Sequence, residues 1–315
     1  MNVLVTGGAG FIGSHVADAF LDLGHTVHIL DDLSTGREKN INRRASFTRG
    51  DIRDADLVRH LMREGGVEVL CHHAAQMDVR RSVADPVNDA SINILGVLTL
   101  LEACRSSGVR KVLFASSGGA IYGEQDYFPA DEKHPTRPIS PYGVAKLATE
   151  QYLYYYGEVY GISSISLRYA NVYGPRQSPE GEAGVVAIFT GRMLKGEQPV
   201  INGTGGQTRD YVFVGDVVRA NVLALLHSGS GVFNVGTGVE TDVNTLFRHL
   251  RDLTSSSCAE AHGEAKKGEQ LRSVLDNRKI IRELGWSVDV SIEDGLCRTV
   301  EHFRKELPDG RPGAR

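Results

Sequence analysis

Cysteine is scarce in this chain. Four occur in 315 residues, Cys71, Cys104, Cys258 and Cys297, far apart and with no C-x-x-C pair. That argues against a disulfide framework and leaves no Cys/His cluster for a metal; buried thiols in a reducing compartment are expected. There is no excess of positive charge either: 35 Lys and Arg stand against 39 Asp and Glu, a net charge of −4. A nucleic-acid partner or a polybasic membrane surface is therefore not expected. No apolar run approaches the length of a membrane span, and the opening MNVLVTGG leads into a strand rather than a charged and then apolar leader. A cytoplasmic protein with no membrane partner is expected. Internal repeats and low-complexity tracts are absent. What is present is ordinary globular composition, 41% hydrophobic and 23% charged, long enough for two domains or one large α/β domain with an appendage.

The first half alternates short apolar runs with helical segments. Strands are expected at Asn2–Thr6, Thr26–Leu30, Val67–His72, Val109–Ala115 and Ile162–Leu167, with helices at Gly13–Leu23, Ala55–Glu64, Asn88–Ser106 and Pro141–Tyr160. This alternation implies a doubly wound parallel sheet with right-handed crossovers. Beyond Asn171 the pattern changes. A loop is expected over Gly174–Gly184, helices over Val185–Leu194, Asp216–His227, Asp242–Thr254 and Arg278–Leu284, strands at Asp210–Val214 and Val232–Val235, and a frayed tail over Lys305–Arg315. The expected division is residues 1–171, with about 212–238 returning to it, and a second domain over 172–315.

Thr6-Gly7-Gly8-Ala9-Gly10-Phe11-Ile12-Gly13 follows a strand and opens a helix. Glycines there permit a tight turn and close approach of backbone to a pyrophosphate, which the helix N-terminus then faces with its N–H groups. The second strand ends in Asp31-Asp32, eighteen residues past Gly13. A carboxylate at that point accepts ribose hydroxyls and repels a 2′-phosphate, which favours NAD over NADP. Asp51-Ile52 follows the next short strand, and Asp51 either contacts the adenine or caps the helix at Ala55.

Ser140-Pro141-Tyr142-Gly143-Val144-Ala145-Lys146 places Tyr142 and Lys146 on one helix face. A phenol is a poor base at neutral pH, but a nearby ammonium stabilises the phenolate and lowers its pKa by roughly 1–3 units. Tyr142 then suits removal of a hydroxyl proton while hydride leaves the same carbon.

The segments TGGAGFIG, DDLSTG, HHAAQMDVRRSV, SSGGAIYG, SPYGVAK, RYANVYGPRQ and TRDYVFVGDV together resemble the extended short-chain dehydrogenase/reductase family. The resemblance is to its nucleotide-sugar branch, nearest to UDP-glucose (UDP-galactose) 4-epimerases, and runs from about Asn2 to Arg304. It implies a Rossmann-type domain holding NAD, a smaller C-terminal α/β domain holding a UDP-sugar, and a homodimer through the helices at 88–106 and 141–160. By position it implies that Gly7, Gly10, Phe11, Ile12 and Gly13 wrap the pyrophosphate. Asp31 takes the ribose, and Asp51 and Ile52 the adenine. Ala74, Ala75, Gln76 and Asn93 lie along the cofactor, Tyr142 is the base, and Lys146 holds the nicotinamide ribose. Tyr169 and Asn171 lie beside the nicotinamide and sugar.

One departure stands out. Relatives carry Ser or Thr four residues before the tyrosine of the S-S-x-x-x-x-Y-G segment, and here that position is Gly118. Tyr142 is then expected to handle the proton directly, with Ser117 or a water in the gap. Sugar 4,6-dehydratases resemble this chain but carry an acidic pair beside that position, and Gly118-Gly119 cannot supply acid or base, so dehydration is not expected. On the substrate side Arg209, after a glycine turn, suits a diphosphate; Arg272 and Lys266 are weaker candidates. Gly181–Val186, Val185 included, and Pro199–Asn202 are expected to give contacts to the uridine and sugar. Ser273 matches a position resembling a size gate, so a UDP-N-acetylhexosamine is an alternative substrate, and Arg176 suggests a UDP-hexuronate. The same residues also leave open a net dehydrogenase or reductase and a non-catalytic NAD-binding sensor of the same fold. His72 and His73 are expected to be packed or hydrogen-bonded rather than ligands. Along Pro141–Tyr160, Val144, Leu147, Ala148, Gln151, Tyr152, Tyr155 and Val159 are expected to face the core, and Leu153, Tyr154 and Tyr156 make a second apolar side suited to a subunit interface.

Overall fold

The computed structural model describes residues 1–180, 184–265 and 270–307. Its strands are β1 (Asn2–Thr6), β2 (Thr26–Asp31), β3 (Ser46–Arg49), β4 (Val69–His72), β5 (Lys111–Ser117), β6 (Ser163–Tyr169), β7 (Asn171–Tyr173), β8 (Ile201–Asn202), β9 (Thr208–Phe213), β10 (Gly231–Val235), β11 (Glu240–Asp242), β12 (His262–Gly263) and β13 (Arg272–Ser273). Its helices are α1 (Phe11–Asp22), α2 (Ala55–Glu64), α3 (Val79–Ala84), α4 (Pro86–Ala90), α5 (Gly96–Ser107), α6 (Gly118–Ile121), α7 (Pro141–Tyr160), α8 (Val185–Leu194), α9 (Val214–Leu226), α10 (Val243–Thr254), α11 (Arg278–Leu284) and α12 (Ile292–Glu306).

Seven strands form one sheet in the order β10-β6-β5-β4-β1-β2-β3, parallel throughout. Side chains alternate across a strand, and β1 shows the consequence. Val3 and Val5 enter a core with Phe20 of α1 and Val217 and Ala220 of α9. Leu4 enters the opposite core with Met62 of α2, Leu100 of α5 and Leu153 of α7. Helices thus cover both faces, the doubly wound α/β architecture expected. Chain order reverses between β1 and β4, which opens a crevice at their carboxyl ends. A third core of Phe189, Met193, Tyr211, Phe247, Leu250 and Leu296 is built by α8, β9, α10 and α12.

Local chemistry sets the helix ends. Asp54, Asp78, Asp85, Ser140, Asp242 and Ser291 each accept a hydrogen bond from an N–H of the turn they precede. Pro86 and Pro141 occupy first helical positions. Gly108, Gly161 and Gly285 close α5, α7 and α11 in the left-handed region.

Four expectations are corrected. The helix expected at Asn88–Ser106 is α4 and α5 joined by a π turn over Ser91–Leu95. Taken together, Pro86–Ser107 is long and apolar enough by length and composition to cross a membrane, although its inner side carries Val97, Leu100, Leu101 and Cys104 into the sheet core. Lys305 and Glu306 complete α12 rather than fraying, with Lys39 paired to Glu306; residues 308–315 lie outside the described ones. Along α7 the buried side is Gly143, Ala145, Lys146, Thr149, Glu150, Leu153 and Tyr156. Val144, Gln151, Tyr152, Tyr155 and Val159, expected inside, are exposed, as is Tyr154, whereas Leu153 and Tyr156, expected on the interface side, are buried in the core. The inward face is the polar one because the sheet beneath it offers partners: Glu150 pairs with Arg168 of β6 and accepts from Ser116 of β5.

Candidate active site

The carboxyl ends of β1, β2, β4, β5 and β6 gather the expected cofactor residues along one edge. After β1 the chain turns at Gly7, which has φ 70° and packs so closely under the post-β4 segment that a Cβ would stand 2.5 Å from the Ala74 nitrogen. A Cβ on Gly13 would collide with the Gly7 oxygen, so α1 can pack on its own turn only as glycine. Gly10 precedes the helix in extended conformation, and Ser14 N–H makes the first helical bond to its carbonyl. The N–H groups of Phe11, Ile12 and Gly13 thus have no acceptor within the helix, and they open a cradle suited to an anion.

Asp31 ties this turn to β2. Its carboxylate accepts Ala9 N–H and Leu33 N–H, each at 2.9 Å. Burial raises its pKa, and the two donors pull the other way. Asp51 is held by Arg53 through both oxygens, which lowers its pKa. It does not cap α2: Asp54 does, accepting Leu57 N–H at 3.0 Å. The Ile52 side chain is in the core against Gly96, which leaves its backbone for any contact along the crevice. Ala74 N–H donates to Thr6 Oγ1 at 3.3 Å, and Ala75 follows. Gln76 and Asn93 join backbone to side chain in both directions, Gln76 N–H to Asn93 Oδ1 at 2.9 Å and Asn93 Nδ2–H to the Gln76 carbonyl at 2.8 Å.

Tyr142 and Lys146 share the first two turns of α7, with Lys146 Nζ 5.5 Å from the Tyr142 ring centroid and 4.8 Å from that of Phe114. Nζ donates to the Ala115 carbonyl at 2.8 Å, which fixes the ammonium above the end of β5. Burial lowers the Lys146 pKa to about 8, against the raising effect of Asp89 and Glu150. The phenol of Tyr142 is raised, first by burial and then by the charge of Asp89. In the chain alone burial thus dominates at Tyr142, and the Lys146 ammonium is directed to a carbonyl.

Both histidines after β4 are engaged. His72 Nδ1 lies 2.7 Å from Thr6 Oγ1. His73 is stacked 6.4 Å from Tyr169, whose hydroxyl lies 3.4 Å from His73 Nε2 and accepts Asn221 Nδ2–H at 2.8 Å. Burial takes His73 down to about 3, and the Lys146 charge adds to this. The Ser117 oxygen caps α6, accepting Ala120 N–H at 3.3 Å. A Cβ on Gly118 would stand 2.5 Å from Leu275 Cδ1, so leucine fills the space a side chain there would take.

Arg209 and Ser273 are register partners on β9 and β13. Ser273 is buried, and Arg209 Nη1 donates to the Thr208 carbonyl at 2.8 Å. The neighbouring Asp210, unnoticed in sequence, receives Thr237 N–H and Oγ1–H, Gly238 N–H and Leu275 N–H. It fixes three segments around that pair. Arg272 is instead committed to Glu240 and stacked 3.8 Å over Phe128. Arg176, at φ 67°, donates to Ser14 and pairs with Asp18 of α1. Asn171 is exposed on β7, Val185 starts α8, and Ile201 and Asn202 form β8. Residues 181–183 and Lys266 lie outside the described ones.

A sequence profile described as the NAD dependent epimerase/dehydratase family matches residues 3–236. The UDP-glucose 4-epimerase of Mycolicibacterium smegmatis is 46% identical over 312 residues, covering 97% of this chain and 99% of that protein. The crystal structure of UDP-glucose 4-epimerase from Thermotoga maritima with UDP-glucose superposes with a TM-score of 0.96 at 50% identity, covering 98% of this chain and 100% of the other. That of UDP-glucose 4-epimerase from Thermus thermophilus in complex with NAD gives 0.92 at 46%, with the same coverage.

Proposed function

The chain belongs to the NAD dependent epimerase/dehydratase family, and from that premise we propose that it is an NAD-dependent 4-epimerase interconverting UDP-glucose and UDP-galactose. The observation that carries epimerisation over dehydration lies at Gly118-Gly119. Neither glycine carries an acid or base to remove a C5 proton, and Leu275 fills the space a side chain at 118 would take.

Bound NAD would supply the hydride chemistry at C4 of the sugar. Gly7, Gly10, Phe11, Ile12, Gly13 and Asp31 are our residues for its adenosine diphosphate half, and Ala74 to Gln76, Asn93, Lys146 and Tyr169 for the other. Tyr142 receives the 4-hydroxyl proton as a 4-keto sugar forms and gives it back after the sugar turns. Lys146 is the cation of this chain that favours the phenolate. Ser117, whose oxygen already accepts a cap bond, keeps its hydroxyl proton to donate towards the sugar oxygen. Arg209 anchors the diphosphate, and Ser273 borders the sugar; holding the nucleotide firmly and the hexose loosely permits the rotation.

The cofactor half in this reading is the seven-stranded sheet with α9 and β10, and the sugar half is the third core. A homodimer through the helices at 88–106 and 141–160 is supported by apolar side chains exposed on them, Leu95 at 58% and Tyr154 at 67% among them. We place the protein in the cytoplasm, on its unpaired cysteines. The test is to mix purified protein with UDP-galactose and no added cofactor. Accumulation of UDP-glucose is expected; no conversion of any UDP-hexose would reject the reading.

A further inference from the structure

Against the first turns of α7, which carry Tyr142 and Lys146, packs a helix with a carboxylate that belongs to no motif in the sequence. Asp89, in α4, is 1% exposed and lines the same cleft as Pro141, Val144 and Ala145 of α7. Its Oδ1 accepts Gln76 Nε2–H at 3.0 Å and Asn93 Nδ2–H at 2.9 Å. Its Oδ2 is buried and accepts nothing among the described residues. A buried carboxylate with a bare oxygen is costly. An asparagine would serve both amides equally well through its own oxygen, so what aspartate adds at this place is charge.

We propose that Asp89 is a positioning residue for the Tyr142–Lys146 pair, its negative charge keeping on Lys146 the ammonium beside which Tyr142 takes the sugar proton. This rests on the reading of Tyr142 as the proton-handling group. The charge of Asp89 acts on both partners in the raising direction. The other titratable groups on elements around α7 are engaged. Glu150 is bidentate with Arg168 of β6, and Glu102 of α5 is paired with Arg105. His72 and His73 have lowered pKa values, chiefly by burial. On α3, Asp78 caps the helix, and Arg80 and Arg81 are exposed; Lys111 of β5 donates to the carbonyls of Leu225 and His227.

Asp89→Asn removes the charge and keeps the acceptor; Gln76→Ala removes one amide and keeps the charge. The measurement is a pH titration of ¹³Cε-lysine resonances in the nucleotide-loaded protein, with Lys146 identified by the signal lost in Lys146→Met, alongside the pH profile of kcat/KM for UDP-galactose. In Asp89→Asn the Lys146 midpoint falls by about one pH unit, and the acid limb of the profile moves the same way. In Gln76→Ala the midpoint stays. Curves for Asp89→Asn that overlay the wild type, or a midpoint that moves with Gln76→Ala instead, overturn the proposal. Conversion surviving in Tyr142→Phe would remove the underlying reading, while the lysine titration still reports on Asp89.

Discussion

A side chain whose pKa is moved by burial carries its pH dependence with it. His73 sits at about 3, chiefly through burial and then through the Lys146 charge, against 6.5 in the unfolded chain. Between these values the unfolded state binds the proton and the native state does not, so stability rises with pH across that window. The contribution of His73 is full above pH 6.5 and is lost as pH falls towards 3. Denaturant titrations from about pH 7 down to about 4 should show this loss, and His73→Gln should flatten it. Lys146, at about 8, gives the same sign at the other end. Stability rises from about pH 8 to the ordinary lysine value, because there too the native state has already released its proton. At Gly118 packing decides. Gly118→Ser presses on Leu275 and should cost about 1–3 kcal/mol, with Leu275→Ala introduced beside it recovering part of the loss in the same denaturation assay.

Among the elements, α7 joins chemistry to the sheet. Its inward face carries Lys146 bonded to a β5 carbonyl and Glu150 bonded to Arg168 of β6, both of that pair buried. Glu150→Ala would strand a buried guanidinium and should destabilise by about 3–5 kcal/mol. Ser140→Ala, removing the cap that receives Gly143 N–H at 3.1 Å, should cost only about 1 kcal/mol. Thermal and urea unfolding distinguish the two. This helix also shows where sequence reasoning stopped. Its existence, its ends and the shared face of Tyr142 and Lys146 were legible, because Pro141, Gly161 and an i, i+4 spacing are local. Its buried face was not, since apolar periodicity points to the side that stands exposed, and the partners that make a polar face burial-worthy come from β5 and β6. The glycine turn and Asp31 were readable for the same local reason. Asp89 and Asp210 were not, because their bonds reach Gln76, Thr237 and Leu275 through tertiary structure.

For the molecule as a whole, the parallel sheet reverses order between β1 and β4. The crevice this opens lies between the glycine turn on one side and His73 to Gln76 on the other, with α7 delivering Tyr142 and Lys146 over β5. The third core hangs β9 and β13 nearby, carrying Arg209 and Ser273. The opposite surface of the α4–α5 and α7 helices exposes Leu95, Val144, Tyr152, Tyr154, Tyr155 and Val159. Replacing Leu95 and Tyr154 with aspartate should leave the fold intact and convert a dimer to a monomer in sedimentation; a wild-type protein that sediments as a monomer contradicts the interface.

The whole account turns on the phenol of Tyr142 exchanging a proton with the sugar. The direct measurement compares wild type with Tyr142→Phe, following UDP-galactose conversion and the nucleotide content of the purified protein side by side. The account predicts that the phenylalanine variant folds, retains its nucleotide and converts at least about 10²-fold more slowly. A variant that folds, holds nucleotide and converts at the wild-type rate would contradict it.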